Sequence, residues 1–221
     1  MEAAIIFLDE KKPFSEYTFL LPLISEERRD RIARMAADGD KLRSLFAELL
    51  IRYEISEKLD ADFKKLEFEK NEFGKPFLVG QDGYDFSVSH SAGAVAFAGG
   101  NFAVGADIER IRPRKRLISE RFFAKNEIDF IEKSENSDEA FFEIWTKKEA
   151  YSKMLGKGLA AGFNSFDVTG GVLGCEFYTE IKYGYVFSVC SGEKLFLPSV
   201  TEMTEDEFLQ KLSERLDFTL Y

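Results

Sequence analysis

Asp107 and Glu109 stand two residues apart in the stretch Val104-Gly105-Ala106-Asp107-Ile108-Glu109. Val104, Ala106 and Ile108 alternate with Gly105, Asp107 and Glu109, which is the pattern of a strand. Side chains two apart on a strand share a face, with Cα atoms about 6–7 Å apart. Two ionised carboxylates side by side repel each other, and a cation between them relieves the repulsion. An all-oxygen pair suits Mg²⁺. Solvated acids on an exposed strand face fit the same six residues. A second stretch, Trp145-Thr146-Lys147-Lys148-Glu149-Ala150-Tyr151-Ser152-Lys153, follows about forty residues later. With Asp138 to Ile144 before it, it reads as one helix of roughly four turns or more. Trp145, Glu149 and Lys153 fall at i, i+4 and i+8 and so lie along one face. An aromatic, an acid and a base in line could form a site, or could be a helix with a surface ion pair. Leu155-Gly156-Lys157-Gly158-Leu159 is a Gly-rich stop.

Other candidates are cations. Arg28, Arg29, Arg31 and Arg34 lie on one side of a helix that Ser25 can cap, opposite Ile32, Met35 and Ala36. His90 is the only histidine and ends a strand-like run, Asp85 to Ser89. Lys75 sits in the turn Gly74-Lys75-Pro76. Arg110 to Arg116 holds five basic residues in seven, broken by Pro113. Each of these also has an ordinary reading: a solvated face, a structural histidine, a turn, a solvated loop.

Positioning these residues requires a mixed fold. Met1 to Leu8 reads as a strand, and a long helix spans about 41–58 with Leu42, Leu45, Phe46, Leu49 and Tyr53 as its stripe. Strands follow at Leu66–Glu69, Phe77–Val79 and Asp85–Ser89. Val95–Ala98 and Phe102–Ile108 read as a hairpin through Gly99-Gly100-Asn101. Helices are predicted over about 117–123 and 126–133 and at Trp145, then strands near Ser165–Thr169, Cys175–Lys182, Tyr185–Cys190 and Lys194–Leu197. Thr204 and Glu207 form a capping box for a last helix, expected on the outside, with Phe208, Leu209, Leu212 and Leu216. The order strand, helices, strands occurs twice. The expectation is an α+β fold of two similar α/β halves related by pseudo-duplication, 1–101 and 102–221, packed as one unit.

The chain has 221 residues, 45% hydrophobic and 32% charged, with 23 phenylalanines for an aromatic core. A net charge of −10 argues against nucleic-acid binding, which needs a basic footprint. Cys175 and Cys190 have neither metal-site nor disulfide-framework spacing, which fits a reducing compartment. The apolar run Ala3–Leu8 lacks a preceding basic residue and is too short for a signal peptide. No apolar run approaches the roughly 18 residues of a membrane span. A cytoplasmic monomer is expected.

Gly74-Lys75-Pro76, Ser89-His90-Ser91, Gly105-Ala106-Asp107-Ile108-Glu109 and Trp145 to Lys153 occur in this order. In these four stretches, from about Ser25 to Val168, the chain resembles the 4′-phosphopantetheinyl transferases of the larger, surfactin-synthetase-activating type. The paired Asp-x-Glu and Trp-x-x-Lys-Glu-Ala-x-x-Lys are the specific part. Arg28 and Arg31 stand where relatives often carry lysine. The resemblance implies that fold, with the active site between the halves, and transfer of the phosphopantetheine arm of coenzyme A to a serine of an acyl or peptidyl carrier protein. The by-product would be 3′,5′-ADP. It implies Mg²⁺ on Asp107, Glu109 and Glu149, with Glu149 and Lys153 catalytic. Arg28, Arg31, Arg43, Lys75, Ser89, His90, Lys148 and Lys153 would bind the coenzyme, with Arg43 and Lys75 ranked ahead of Arg28 and Arg31. Ser89 and His90 would lie near the 3′-phosphate. Glu127 matches a family acid or is simply a first-turn residue, and Arg110–Arg116 would dock an acidic carrier. A coenzyme-binding module without transfer activity, a Mg²⁺-dependent nucleotide pyrophosphate hydrolase and a non-enzymatic scaffold remain alternatives.

Overall fold

The computed structural model describes residues 1–113, 122–157, 162–193 and 200–217. The order is β1 (Glu2–Phe7), a 3-10 segment (Phe14–Leu23), α1 (Glu26–Ala33), α2 (Asp38–Leu59), β2 (Phe68–Lys70), β3 (Pro76–Leu78), β4 (Asp85–Ser91), β5 (Ala94–Gly100) and β6 (Val104–Arg110). Then come α3 (Lys125–Lys133), α4 (Ser137–Leu155), β7 (Glu176–Lys182), β8 (Tyr185–Ser191), β9 (Val200–Thr204) and α5 (Glu205–Leu216).

β1 is a continuous apolar run because both its faces are covered. Ala4 and Ile6 pack on the core under α2, with Leu42, Leu45, Phe46 and Leu49. Ala3 and Ile5 face the other way, toward Val104, Ala106 and Ile108 of β6. The strands form two main sheets, β4-β5-β1-β9 and β6-β8-β7, beside the small β2-β3 hairpin. Each half is a strand, a long helix and an antiparallel hairpin whose second strand pairs antiparallel with the first strand. Thus β1–α2–β4–β5 gives the order β1-β5-β4, and β6–α4–β7–β8 gives β6-β8-β7. The expected pseudo-duplicated α+β plan is therefore seen in the topology.

Some expectations differ from the structure. Val95–Ala98 does not form a hairpin with Phe102–Ile108. β5 pairs with β4 on one side and β1 on the other, so neither edge remains for β6, which pairs with β8. The turn lies at Ala92-Gly93, where Gly93 has φ +82°. Ser165–Thr169 is not a strand; a 3-10 turn, Phe163–Ser165, stands there. Residues 117–121 of one predicted helix and the predicted strand Lys194–Leu197 lie outside the described residues. β9 was not expected. It pairs parallel with β1, and α5 after it is not peripheral: Phe208, Leu209 and Leu212 are buried in the first core. Phe208 packs on Phe46 and Tyr53, with ring centroids 6.0 and 5.6 Å apart. Residues 200–217 therefore sit with the first half, across the expected boundary at 101/102. The predicted capping box at Thr204 and Glu207 is present.

α4 lies directly on β6. Gly105 faces it, and a Cβ there would fall 1.9 Å from Ala150 O and 2.4 Å from Met154 N. Only glycine lets the helix approach this closely. Asp107 and Glu109 share the face of Gly105, so the same contact turns both acids toward α4. Gly105→Ala should force the helix away and destabilise the fold by about 1–3 kcal/mol or more through overpacking. Thermal denaturation checks this; an unchanged Tm would show that α4 is not seated on Gly105.

Candidate active site

β4 and β6 are edge strands of different sheets, and unpaired edges need covering. They meet through side chains of β4. Asp85 Oδ2 accepts from Val104 N at 2.9 Å, and Ser87 Oγ donates to Ala106 O at 3.4 Å. Ser89 Oγ donates to Asp107 Oδ1 at 2.6 Å, and Ser91 Oγ to Glu109 Oε2 at 2.7 Å. Arg110 N donates to Ser91 Oγ at 3.3 Å. Positions 85, 87, 89 and 91 share a strand face, so the alternation of polar residues in Asp85–Ser91 builds a seam. Sequence reading took this run as an ordinary strand. The signal was there in three serines at period two, a pattern that a solvated face also gives.

Across the seam Asp107 is buried, 5% exposed. Its Oδ1 also receives Lys153 Nζ at 2.7 Å, and Lys153 donates to Ala106 O at 3.1 Å. Asp107 Oδ2 is buried without a partner. Burial pushes the Asp107 carboxyl up, against the pull of Lys153 and Ser89. Glu149, on α4, is pushed up to about 7, first by burial and then by the negative charge of Asp107, with Glu109 adding to it and Lys153 opposing. Arg112 Nη1 joins Ser91 on Glu109 Oε2, at 3.0 Å. Among the described residues no three His, Cys, Asp or Glu side chains form a ready-made metal cluster. Lys153 is the cation beside Asp107.

A cleft of about 750 Å³ opens beside this seam. Of the residues expected at the coenzyme, Arg28, Arg31, Ser89, His90 and Lys153 line it. Its floor includes Glu48 and Arg52, which sequence reading missed. Glu48 accepts Arg52 Nε at 2.9 Å, Arg28 Nε at 3.2 Å and the Ser25 amide at 2.7 Å. Arg52 Nη1 in turn donates to Phe63 O and Leu66 O, at 3.2 and 3.0 Å. The signal was an i, i+4 acid–base pair inside an otherwise apolar helix stretch. Ser89 carries one hydroxyl proton and donates it to Asp107, so it has none left for the cleft.

Arg43 and Lys75, ranked first from sequence, do not line the cleft. Arg43 is paired with Glu10 and Asp40. Lys75 is paired with Asp85 and donates to Val104 O at 3.1 Å. Lys148, expected at the coenzyme, is fully buried and does not line the cleft; Glu127 is buried too, and the two pair at 2.8 Å. Lys148 also donates to Phe163 O and Phe166 O, both at 2.6 Å. Glu127 accepts the amides of Ala124, at 2.7 Å, and Val168, at 2.9 Å. This pair clamps α3, α4 and the 163–168 segment together. It occupies the backbone groups that a strand at Ser165–Thr169 would have needed.

His90 is exposed on the cleft wall, yet the protein mass around the ring and the charges of Arg43, Lys153 and Arg28 push its imidazole down to about 4. An anion among these cations reverses the last part of that shift. As the sole histidine, its ring signals can be followed by NMR. The free protein should titrate well below the ordinary value of 6.5, and saturating 3′,5′-ADP should raise the midpoint by about 1–3 pH units. A free-protein midpoint near 6.5 would remove the cation cluster. For the buried pair, Lys148→Met alone should cost about 3–5 kcal/mol, because it leaves Glu127 unpaired. Adding Glu127→Gln should recover part of the loss in chemical denaturation; strictly additive losses would show no coupling.

Comparison with known proteins agrees with these elements. Residues 103–187 match the family model of the 4′-phosphopantetheinyl transferase superfamily, and residues 11–101 match that of the N-terminal part of 4′-phosphopantetheinyl transferases. The chain is 40% identical over 152 residues to the 4′-phosphopantetheinyl transferase gsp of Aneurinibacillus migulanus, covering 68% of this chain and 63% of that protein. It is 30% identical to the 4′-phosphopantetheinyl transferase ffp of Bacillus subtilis over 219 residues, 92% of this chain and 98% of the relative. The same identity and coverage hold for the 4′-phosphopantetheinyl transferase Sfp of Bacillus subtilis strain 168. With both halves matched and a relative aligned over nearly its whole length, the chain belongs to the 4′-phosphopantetheinyl transferase superfamily.

Proposed function

We propose that this transferase moves the 4′-phosphopantetheine arm of coenzyme A to a serine hydroxyl of an apo acyl or peptidyl carrier protein, with Mg²⁺, releasing 3′,5′-ADP. The observation that carries the reading is Lys153. It lines the cleft with Arg28, Arg31 and His90 and bonds Asp107, so it joins the cleft to the acid strand. In the reaction the serine oxygen bonds the pantetheine-side phosphorus and the bridging P–O bond breaks. Little covalent chemistry falls to the protein, and catalysis is positioning, charge neutralisation and proton removal.

Arg28, Arg31 and His90 are the residues we assign to the coenzyme phosphates, and Lys153 to the charge that develops on the leaving phosphate. Arg43 and Lys75 would first have to exchange carboxylate partners for phosphate. Glu149 takes the serine proton in this reading. Asp107, Glu109 and Glu149 would hold the divalent cation. The fit rests on the unpartnered buried Oδ2 of Asp107 and on an all-oxygen donor set in which the charges of Asp107 and Glu109 raise the proton affinity of Glu149. When bound, the ion would neutralise the pyrophosphate and stabilise charge on the transferred group.

Arg110 and Arg112 begin the basic run next to Glu109, and we assign this rim to docking an acidic carrier against a net charge of −10. Arg112 also lies over the Phe142 ring, 5.0 Å from its centroid. Arg114, Lys115 and Arg116 lie outside the described residues. No helix among the described residues is long and apolar enough to cross a membrane. The two free thiols, Cys175 and Cys190, accord with a cytoplasmic site of action.

The test is mass spectrometry of a panel of apo carriers incubated with coenzyme A and Mg²⁺. One phosphopantetheine should be gained per carrier, and excess chelator should abolish the gain. Glu149→Gln should lower turnover by about 10²–10⁴-fold with coenzyme binding retained. Release of 3′,5′-ADP without any carrier would make the protein a hydrolase, and coenzyme binding without either reaction would make it a binding module.

A further inference from the structure

The two acids of β6 are held in the same unusual way. Ser89 and Lys153 both bond Oδ1 of Asp107, and Oδ2 is left buried without a partner. Ser91 and Arg112 both bond Oε2 of Glu109. Among the described residues, each carboxylate is thus held through one oxygen. The serines are two apart on β4 and the acids two apart on β6, so the seam repeats one device twice.

The Ser91 hydroxyl is itself directed. Arg110 N–H donates to Ser91 Oγ at 3.3 Å, which leaves the hydroxyl proton to go to Glu109 Oε2 at 2.7 Å. Arg112 cannot replace it as an anchor. Its side chain is 56% exposed, and a solvated ion pair holds geometry weakly. Ser91 is anchored on a strand paired with β5 through its whole length, from Asp85 opposite Gly100 to Ser91 opposite Ala94.

We propose that Ser91 is a positioning residue for the transfer reaction: its hydroxyl fixes Glu109 through Oε2, so that Oε1 is presented to the divalent cation. The assignment rests on the function proposed above. Ser91 touches neither coenzyme nor carrier in this role and acts through Glu109. Partners that orient a ligating carboxylate typically change metal affinity by about 10–100-fold when removed.

The experiment reads Mn²⁺ binding to the whole chain by the loss of free-ion EPR signal, with no coenzyme present. Ser91→Ala should weaken Mn²⁺ roughly 10–100-fold, and Ser91→Thr, which keeps the hydroxyl, should restore most of the affinity. Turnover of Ser91→Ala at saturating metal should approach wild type. Ser87→Ala is the control, since Ser87 crosses the same seam to a backbone carbonyl and not to an acid. It should leave Mn²⁺ affinity unchanged even if the Tm falls. Wild-type affinity in Ser91→Ala overturns the proposal, as does an equal loss in Ser87→Ala, which would mean that any loosening of the seam has this effect. A wild-type protein that binds no Mn²⁺ refutes the metal reading itself, and this proposal with it.

Discussion

Two sheet edges meet without a backbone ladder between them, and the site depends on how they are joined. Asp85, Ser87 and Ser91 bond backbone groups of β6 at Val104, Ala106 and Arg110, and Ser89 and Ser91 bond its two acids. The hydroxyls are short, so the strands can lie close. Alanines behind them, Ala3, Ala94, Ala96, Ala98 and Ala106, leave the sheets room to approach. A backbone ladder would have satisfied the same edge but left the acids unoriented. The side-chain seam meets part of the edge and grips the carboxylates at once.

Charge is distributed around this seam with a clear division. The acids lie on β6 and α4, the cations on α1 and at the cleft, and Lys153 spans both. The buried Lys148–Glu127 pair, away from the cleft, and the Arg52–Glu48 pair on its floor are closely partnered. At the site itself the accounting is left open: Asp107 keeps an unpartnered oxygen, burial and Asp107 raise the proton affinity of Glu149, and His90 is discouraged from protonating. Unsatisfied groups of this kind cost stability, and they collect where a ligand can satisfy them.

The acid strand, the Trp145 helix and the cap at Thr204 were legible because local periodicity and capping decide them. Pairing partners were not. Gly99-Gly100-Asn101 has the composition of a turn, but Gly99 lies inside β5, where a Cβ would come 2.4 Å from the Tyr84 hydroxyl and 2.7 Å from the Phe97 ring. That glycine answers to the packing of Tyr84 and Phe97 against it. Lys148 is different: at i+4 from Ile144 and i+7 from Phe141 it shares their buried stripe, so its inward direction could have been read from helical phase. The motif drew attention to the coenzyme, while the phase points to the pairing with Glu127. The contribution of Ser91 needs the β4–β6 seam to be seen at all.

The return of β9 to β1 bears on how the molecule comes to be folded. β1 spans Glu2–Phe7, and its parallel neighbour begins only at Val200. The whole of β6-β8-β7 is threaded between these two strands of one sheet. Contacts so distant in sequence slow folding, because a long loop must close before they reward it. On a ribosome, the first sheet must wait with one edge of β1 bare while the second sheet is still being made. An exposed apolar edge of that kind invites pairing with another chain. The helix that follows β9 then seals the waiting core with Phe208 and Leu212, so the segment that covers the edge of β1 also closes the period of greatest risk.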